Sequence, residues 1–546
     1  MDLCIRDGLI VDGLGNPPFR GDILVEGGRI RELRRRTEDR RQEGHPPEDR
    51  RPGAVNETET IEAGGALVCP GFIDLHRHCD VAALGEDFGL IELSQGISSC
   101  FVGNCGMSPV PNEPATRQAL EDYLAPCLGS FGGERFSSHG EYLARLQSAP
   151  LPLNLGFYAG MGALRIAAKG FDSGPYTQAE MDRAQCLLRE ALDRGAFGMS
   201  IGLMYVPEVY SGADEIAALA SVMKGGGGIL CTHMRWETER LPEAVKEVIG
   251  IAKRAEIPLE ISHFKAAGPK AWRGALRAAI DIIEAERARG MDITVDFYPY
   301  DCGSSTMMQM LPPSFLAGGT GKAIAGLNKP ENVEKLRKLL AEGEENWDNL
   351  SQTIGWDRTI ISSVNLEENR KFLGKSVSAC TRDYGYRDEA EMAAALMYSE
   401  NGKVAIINRS MSAEDIDTIA RLPYSSLVSD ALYGDMKNPH PRLYGAFPRF
   451  LREFVLDRKV LELPAAIQKM TSQPAKRLGL GDRGVLRPGC RADILIFEPE
   501  NFRDQADYLS PTRLATGLDY AIINGKTAYR RGTILGRHGE VLRRGL

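Results

Sequence analysis

Short apolar runs, each ending at a polar residue of a kind that binds metals or protons, recur through the middle of the chain. The clearest runs occupy residues 67–73, 228–232, 257–262 and 425–429. Runs of this length predict strands buried on both faces, as in a parallel sheet. The residues that follow them are Asp74, His233, His263 and Asp430. The pattern therefore predicts parallel strands that carry reactive side chains at their carboxyl ends.

Helical patterns separate the predicted strands. Thr177 and Glu180 form a capping box ahead of apolar residues at helical spacing, and Gly195 ends that helix. A second helix is predicted over residues 272–289, before Gly290. Strands are predicted to end near residues 78, 105, 160, 203, 235, 265, 300 and 430. Eight strands that alternate with helices predict an α/β fold with a (β/α)8 TIM-like barrel.

Both ends of the chain show a different pattern, made of short strands and turns. We expect residues 1–62 and 481–546 to form one small β-sandwich beside a barrel at residues 63–480. The charged stretch 34–59 is nearly free of apolar residues, which predicts a surface loop inserted into the sandwich. The connection before the last barrel strand is too long for a single crossover. We therefore predict an insertion over the barrel mouth at about residues 302–355.

The composition is that of an ordinary soluble protein, with 43% hydrophobic and 26% charged residues in a chain of 546. The net charge of −8 gives no reason to expect nucleic-acid binding, and no apolar run is long enough to span a bilayer. Eleven cysteines without framework spacing favour reduced thiols, and the start of the chain lacks the pattern of a signal peptide. We therefore expect a cytoplasmic protein that binds neither nucleic acid nor membrane.

Candidate metal ligands gather at the predicted carboxyl ends of the strands, where barrel enzymes keep their chemistry. The first two histidines of the set are two residues apart, and alternate side chains of a strand share one face. Neutral imidazole, thiolate and carboxylate are all zinc ligands. The candidates are His76, His78, Cys105, His233, His263 and Asp430. Their common position predicts a zinc site.

These residues lie in motifs that resemble a known family. Residues 71–78, Gly-Phe-Ile-Asp-Leu-His-Arg-His, resemble the first-strand signature of the amidohydrolase superfamily. Residues 102–108, Val-Gly-Asn-Cys-Gly-Met-Ser, resemble the second-strand motif of its D-aminoacylase (N-acyl-D-amino-acid deacylase) family. Further similar segments follow in order at residues 197–203, 232–235, 261–265, 296–300, 429–431, 440–449, 471–475 and 480–493. The resemblance covers essentially the whole chain.

The resemblance implies a role for each candidate ligand. The two histidines of the first strand would bind one metal position. His233 and His263 would bind the other, and Cys105 would reach both, so that each chain holds one or two zinc ions. Asp430 would also touch the metal, act as general base and pass its proton to the leaving amine. The implied reaction is zinc-dependent hydrolysis of N-acyl-D-amino acids to a carboxylate and a free D-amino acid.

The first-strand motif departs from the family pattern at Arg77. A small residue such as threonine or serine is more usual between the two histidines. Because side chains alternate along a strand, this long cation must point to the face opposite the metals.

A second group of residues offers contacts for the carboxylate of the substrate. Lys265 shares a strand face with His263, and Arg442 has a planar fork that suits a carboxylate. Tyr298 or Tyr300 and Ser304 or Ser305 would complete this clamp. The methionines at 307, 308 and 310 would line the acyl or side-chain pocket, or belong to the core.

Two other functions stay open at this stage. A cyclic-amide hydrolase, such as a hydantoinase or dihydroorotase, usually has a carbamylated lysine as the bridging ligand, so Cys105 favours the deacylase. A non-catalytic binding homologue would typically have lost ligands, whereas this chain keeps the full set. The expected partner is a small-molecule N-acyl amino acid, and homo-oligomerisation stays open.

Overall fold

The computed structural model describes residues 1–36, 59–434 and 436–545. Most of the charged stretch 34–59, predicted to be an inserted surface loop, therefore lies outside the described residues. Helices and strands alternate through the middle of the chain, which confirms the predicted α/β class.

The described strands are β1 Leu3–Ile10, β2 Phe19–Glu26, β3 Arg29–Arg35, β4 Glu59–Glu62, β5 Leu67–Pro70, β6 Phe72–Asp74, β7 Arg77–His78, β8 Ile97–Val102, β9 Asn154–Phe157, β10 Ala159–Gly160, β11 Gly198–Gly202, β12 Ile229–His233, β13 Leu259–Ile261, β14 Ile293–Phe297, β15 Gly303–Thr306, β16 Thr359–Ser363, β17 Ala405–Asn408, β18 Ser425–Leu427, β19 Ala431–Leu432, β20 Ile494–Phe497, β21 Leu518–Ile523, β22 Lys526–Arg530 and β23 Thr533–Ile534.

The described α-helices are α1 Leu90–Ser94, α2 Arg117–Leu128, α3 His139–Gln147, α4 Met161–Lys169, α5 Gln178–Asp193, α6 Ala213–Ala220, α7 Leu241–Ala255, α8 Gly274–Ala288, α9 Pro313–Leu316, α10 Thr320–Gly326, α11 Pro330–Glu342, α12 Val377–Asp383, α13 Glu389–Ser399, α14 Ala413–Arg421, α15 Arg442–Phe450, α16 Leu463–Met470 and α17 Ser472–Leu478. None of these helices combines the length and apolar character needed to cross a membrane.

Parallel strands in chain order form the centre of the molecule. β6, β8 and β9 pair in that order, β10 to β14 continue with β18, and β19 pairs with β7. Backbone hydrogen bonds connect these groups, for example from Phe197 N to Phe157 O at 2.9 Å and from Asp430 N to His76 O at 2.9 Å. The last strand thus lies beside the first. All carboxyl ends point to the same side, where the candidate ligands lie.

A second sheet joins the two ends of the chain. Its nine strands include β1 to β5 from the first seventy residues and β20 to β23 from the last fifty-three. Here the sequence prediction needs a correction. The run 67–73 was expected to be one strand, but β5 belongs to this terminal sheet, and β6 belongs to the parallel series. Gly71 lies at the change of sheet, where an added Cβ would approach the Ser98 side chain to 2.4 Å.

The long connection before β18 folds as a unit with its own core. β15, β16 and β17 form an antiparallel sheet, and helices α9 to α13 accompany it. The three methionines at 307, 308 and 310 are buried in that core. The predicted end of the insertion near residue 355 is wrong, because β16 and β17 pair across that boundary. The polar sequence of β15, Gly-Ser-Ser-Thr, gives no hint of a strand, so its partners were not recognised.

The predicted helices are confirmed. Helix α5 begins after Thr177, whose Oγ1 accepts a hydrogen bond from Glu180 N at 3.4 Å, while Glu180 Oε2 accepts one from Thr177 N at 2.7 Å. Helix α8 occupies nearly the whole predicted range 272–289. These helices pack on the parallel strands through apolar faces. Leu188 of α5 and Ile283 of α8 are fully buried.

Gly103 allows the close approach of the second and third parallel strands, two residues before Cys105. It has φ +77°, and an added Cβ would lie 2.2 Å from the backbone oxygen of Tyr158. We expect Gly103→Ala to lower the free energy of unfolding by about 1–3 kcal/mol or more, as overpacking does. Thermal unfolding followed by circular dichroism measures the loss.

The matched control is Gly132→Ala. Gly132 also has positive φ, at +57°, but an added Cβ would meet nothing within 4 Å. The control carries the backbone strain without the steric contact. Equal melting temperatures for the two variants would show that the close approach of Gly103 to the Tyr158 backbone does not limit stability.

Candidate metal centre and active site

Three candidate ligands have left-handed backbone conformations. Cys105 has φ +53°, His263 has φ +35° and Asp430 has φ +49°. Each of them lies within a few residues of the end of a parallel strand. Such conformations in non-glycine residues typically cost about 1–3 kcal/mol and concentrate at functional sites. The strained turns direct all three side chains into the interior, where they are buried.

The first cluster of donor atoms contains four of the predicted ligands. One donor atom from each lies within 4.8 Å of the others. Cys105 Sγ is 3.2 Å from His76 Nε2 and 3.5 Å from His263 Nε2. Asp430 Oδ1 is 3.4 Å from His76 Nε2. His78 lies beside this cluster, with its Nε2 3.5 Å from Asp430 Oδ1.

The second cluster contains a residue that sequence reasoning missed. Glu237 joins His233 and His263, again with one donor atom from each within 4.8 Å. Its Oε1 is 3.0 Å from His263 Nδ1, and its Oε2 is 3.8 Å from His233 Nε2. The available signal was a carboxylate four residues beyond His233, in the loop that follows β12. Its meaning depends on how that loop folds back over the strand end.

Asp296 lies in the family-like segment 296–300, but no role in the site was predicted for it. Its Oδ1 accepts a hydrogen bond from His263 N at 2.5 Å, and its Oδ2 is 3.5 Å from His76 Nδ1. Tyr205 was also missed. Its hydroxyl lies 3.1 Å from His233 Nδ1. Tyr205 thus orients the ring of His233, while Asp296 holds the backbone of His263 and lies beside the ring of His76.

The protonation of the two histidines in the second cluster fits a divalent cation. Burial holds the pKa of His233 and that of His263 well below the usual value, so both imidazoles are neutral at pH 7 with lone pairs available. Burial raises the pKa of the Cys105 thiol to about 11, although His76 opposes this. A cation bound beside the thiol would lower that pKa again. Within the described part of the chain, His233 Nε2 is buried without a hydrogen-bond partner. Imidazole, thiol and carboxylate together are a donor set that suits zinc.

Asp430 has the charge that a general base requires. Burial alone would raise the pKa of its carboxyl. The charge of the Arg442 guanidinium outweighs burial, with a further contribution from His76, and the pKa of Asp430 stays well below its usual range. Arg442 Nη1 is 2.8 Å from Asp430 Oδ2. Asp430 is therefore ionised at neutral pH, and its other oxygen faces the histidines of the first strand.

A cavity of about 70 Å³ opens onto these groups. Among the residues predicted to bind the substrate carboxylate, Lys265, Tyr298, Ser304, Ser305 and Arg442 line it. Tyr300 does not line it, so its predicted role needs correction. Its ring packs on His440, with centroids 5.0 Å apart. The alternation of side chains could not predict this, because β14 ends at Phe297.

The two predicted cations of the cavity are already paired with carboxylates. Arg442 contacts Asp430, and its guanidinium carbon lies 4.6 Å from the centroid of the Tyr298 ring. Lys265 Nζ donates to Glu237 Oε1 at 2.7 Å and lies 2.9 Å from His263 Nδ1. Each cation therefore contacts both the cavity and a residue of the metal clusters.

Arg77 points away from the clusters, as strand alternation predicts, and is fully buried. Its guanidinium donates to Glu92 Oε1 at 2.9 Å and to Ser429 Oγ at 2.9 Å. It also donates to Leu443 O at 3.2 Å. Ser429 precedes Asp430, and Leu443 follows Arg442. The unusual residue of the first-strand motif thus connects the side chain beside Asp430 with the backbone beside Arg442.

Comparison with known proteins agrees with this geometry. Over 553 aligned residues the chain is 30% identical to D-aminoacylase of Alcaligenes xylosoxydans xylosoxydans, and the alignment covers 100% of this chain and 98% of the relative. The chain belongs to the D-aminoacylase family of amidohydrolases. This amidohydrolase is also 30% identical to N-acyl-D-aspartate deacylase of the same organism, over 99% of the chain and 95% of the relative. A family model described as "Amidohydrolase family" matches residues 407–529.

A solved structure of the same family is similar over its full length. It is N-acyl-D-glutamate deacylase from Bordetella bronchiseptica, complexed with zinc and a phosphonate inhibitor that mimics the tetrahedral intermediate of its reaction. The TM-score is 0.80 and the identity 28%, with 100% of this chain and 99% of that chain covered. The family predicted from the motifs is confirmed, and the chain is an enzyme.

The buried charge of Arg77 generates a prediction on the stability of this amidohydrolase. Arg77→Met should lower the free energy of unfolding by about 3–5 kcal/mol, because the carboxylates of Glu92 and Asp74 lose their buried partner. Chemical denaturation followed by tryptophan fluorescence measures the change.

The double variant Arg77→Met with Glu92→Gln tests the cause. It removes one of the two unpaired charges, so it should be more stable than Arg77→Met alone. If the second substitution instead adds a further loss, the cost at Arg77 does not come from unpaired charge.

Proposed function

We propose that this enzyme hydrolyses the amide bond of N-acyl-D-amino acids, giving a carboxylate and a free D-amino acid. The observation that carries the proposal is one cavity whose lining combines Cys105, His233, His263 and Asp430 with the cations Lys265 and Arg442. The first set suits metal-assisted hydrolysis, and the second suits a substrate with a carboxylate. The names of the relatives support the D configuration.

The metal would be zinc, with one or two ions per chain. As the resemblance implies, His233, His263 and Cys105 would hold one ion. His233 and His263 share a donor cluster with Glu237, and Cys105 shares the other cluster with His263, His76 and Asp430. The histidines of the first strand would hold the other ion together with Cys105 and Asp430. The chemistry that zinc supplies when bound is polarisation of the amide carbonyl and acidification of water at neutral pH.

Asp430 moves the proton in this reaction. Its free oxygen takes a proton from the attacking water as the water oxygen bonds to the carbonyl carbon. The same carboxyl then gives the proton to the amide nitrogen as the carbon–nitrogen bond breaks. Arg442 keeps Asp430 ionised before the reaction and orients it from the opposite oxygen.

The carboxylate clamp would consist of Lys265, Tyr298, Ser304 and Arg442, all of which line the cavity. Arginine binds a carboxylate with two parallel hydrogen bonds, and lysine adds a point charge. Binding the carboxylate of the substrate fixes the position of the scissile amide relative to Asp430. Such orientation is a large part of catalysis in amide hydrolysis.

We also propose the (β/α)8 barrel with a terminal β-sandwich as the complete architecture. The return of the parallel pairing from β19 to β7 supports a closed barrel. The place of β5 in the terminal sheet supports a first boundary near residue 70, later than the predicted residue 62. The predicted boundary between barrel and C-terminal sandwich near residue 480 precedes β20, which also pairs with β5.

Metal content tests the ligand assignment. His233→Ala should lower the zinc content by about one ion per chain, since only Cys105 and His263 of the proposed three protein ligands remain at that position, while the ligands of the first-strand position are intact. The matched control is His139→Ala, because His139 is equally buried but its two ring nitrogens have no hydrogen-bond partner among the described residues and belong to no donor cluster. Atomic absorption on purified protein gives zinc per chain. Full zinc in His233→Ala would refute the assignment.

A substrate panel tests the reaction. The zinc-loaded enzyme should hydrolyse N-acetyl-D-methionine, with much slower or no turnover of N-acetyl-L-methionine and hydantoin. Asp430→Asn should lower kcat for the D substrate by about 10²–10⁴-fold or more, because an amide cannot accept the proton. Release of the free amino acid is the assay, and circular dichroism checks that the variant is folded. Turnover of hydantoin alone would favour the cyclic-amide alternative.

A further inference from the structure

A larger cavity adjoins the candidate active site. Its volume is about 290 Å³, against about 70 Å³ for the cavity at the metal clusters. The two cavities share part of their lining, namely Met107, Cys127, Met204, Tyr205, Ser305 and Gln309. We refer to the larger one, which extends from these residues between helix α2 and the inserted unit, as the side cavity. Nothing in the proposed reaction so far uses it.

The walls of the side cavity are mainly apolar. Helix α2 contributes Tyr123 and Ala125, and the inserted unit contributes Met308, Leu316 and Ile324. Its lining also includes two charged residues, Asp122 and Lys403, and both are exposed. The charges therefore lie where the cavity meets solvent. The interior suits an apolar group that enters from the active site.

The positions of the clamp residues indicate which part of the substrate enters. Lys265, Tyr298 and Arg442 line the smaller cavity and do not line the side cavity. In an N-acyl amino acid, the carboxylate and the side chain branch from one carbon on the amine side of the scissile bond. The acyl group lies on the other side of that bond. The side cavity lies away from the clamp and therefore faces the acyl group.

The amino-acid side chain has a separate apolar surface. Ala267, Leu350 and Ile354 line the smaller cavity, together with the clamp, and do not line the side cavity. A side chain attached beside the carboxylate reaches this surface first. The two apolar surfaces thus correspond to the two branches of the substrate.

We infer that the side cavity binds the acyl chain, and that the preferred substrates carry a medium-length fatty acyl group of about eight to ten carbons. The inference rests on the proposed deacylase function. The length follows from volume, because a cavity of about 150 Å³ holds one benzene ring and the side cavity has about twice that volume. An acetyl group leaves most of this space to water.

A series of N-acyl-D-methionines with two, four, six, eight and ten acyl carbons tests the inference with the zinc-loaded enzyme. Each buried methylene contributes about 0.8 kcal/mol, so kcat/KM should rise up to about four-fold per methylene and at least about 100-fold from acetyl to octanoyl. Concentrations below micelle formation keep the substrates monomeric. A flat or falling profile, with acetyl substrate hydrolysed, overturns the inference and leaves the proposed function intact. Absence of hydrolysis across the series overturns both.

Variants that fill the side cavity test whether the rise of kcat/KM with acyl length comes from binding in this cavity. Ala125→Trp on α2 and Leu316→Trp on α9 fill it from opposite elements, so either variant suffices if the other fails to fold. The ratio of kcat/KM for octanoyl to that for acetyl should fall at least ten-fold in each. The matched control is Ala285→Trp, at an exposed position of helix α8 outside both cavities, which should keep the parent ratio.

Two further outcomes would overturn the assignment. One is a preference for long acyl chains that persists in both filled variants, because the chain would then bind elsewhere. The other is a filled variant whose kcat/KM values across the acyl series equal those of the parent enzyme. In a parallel series of N-acetyl-D-amino acids, the same variant would lose activity on substrates with large side chains. That result would assign the side cavity to the side chain.

Discussion

The buried guanidinium of Arg77 connects the first and last strands of the parallel series, and the active-site geometry depends on that connection. The strands β7 and β19 are only two residues long, and their register pairs Ala431 with Arg77. A ladder of two residue pairs does little by itself to fix the position of the last strand relative to the first. Side chains complete it, because Ser429 donates to Asp74 Oδ2 at 2.5 Å and accepts from Arg77. Asp430 is the next residue along the chain.

The same network explains how a cation between two candidate metal ligands is compatible with a metal site. Glu92 and Asp74 hold Arg77 on the opposite face of its strand. Because these carboxylates neutralise its charge, Arg77 would exert little repulsion on a bound metal. Buried ion pairs are weak evidence for net stability, since desolvation opposes their attraction. Their value here is orientation. The contacts to Ser429 and Leu443 hold the chain next to Asp430 and Arg442, and so help to set the directions of these two side chains.

The strain at the ligands is balanced by hydrogen bonds from neighbouring strands. His263 N donates to Asp296, and Asp430 N donates to the backbone of the first strand. Beside Cys105, Gly106 N donates to Ser200 Oγ at 2.9 Å. Each left-handed turn is thus anchored to another strand end. The donor atoms are brought together by the pairing of strands that are distant in sequence, such as β19 with β7, rather than by any local motif.

This distinction explains what the sequence could predict. Most strands, the two predicted helices and the candidate ligands were recognisable, since they depend on periodicity and on motifs within a few residues, as at Thr177 and Glu180. Glu237 and Asp296 become part of the site only through contacts with histidines of other strands. The partition of β5 and β6 between two sheets and the extent of the inserted unit also depend on distant pairing. A polar strand such as β15 has no signal apart from its partners.

The parallel strands and the inserted unit supply different groups to the two cavities of the active site. The parallel strands supply nearly all charged and metal-binding groups, which must be held rigidly for proton transfer. The inserted unit supplies Met308, Leu316 and Ile324 to the side cavity, and these residues also contact its own hydrophobic core. A change in the packing of that core alters the shape of the side cavity without moving a ligand. In the proposed assignment of the side cavity, selectivity for the acyl group can therefore vary while the proposed hydrolytic chemistry stays constant.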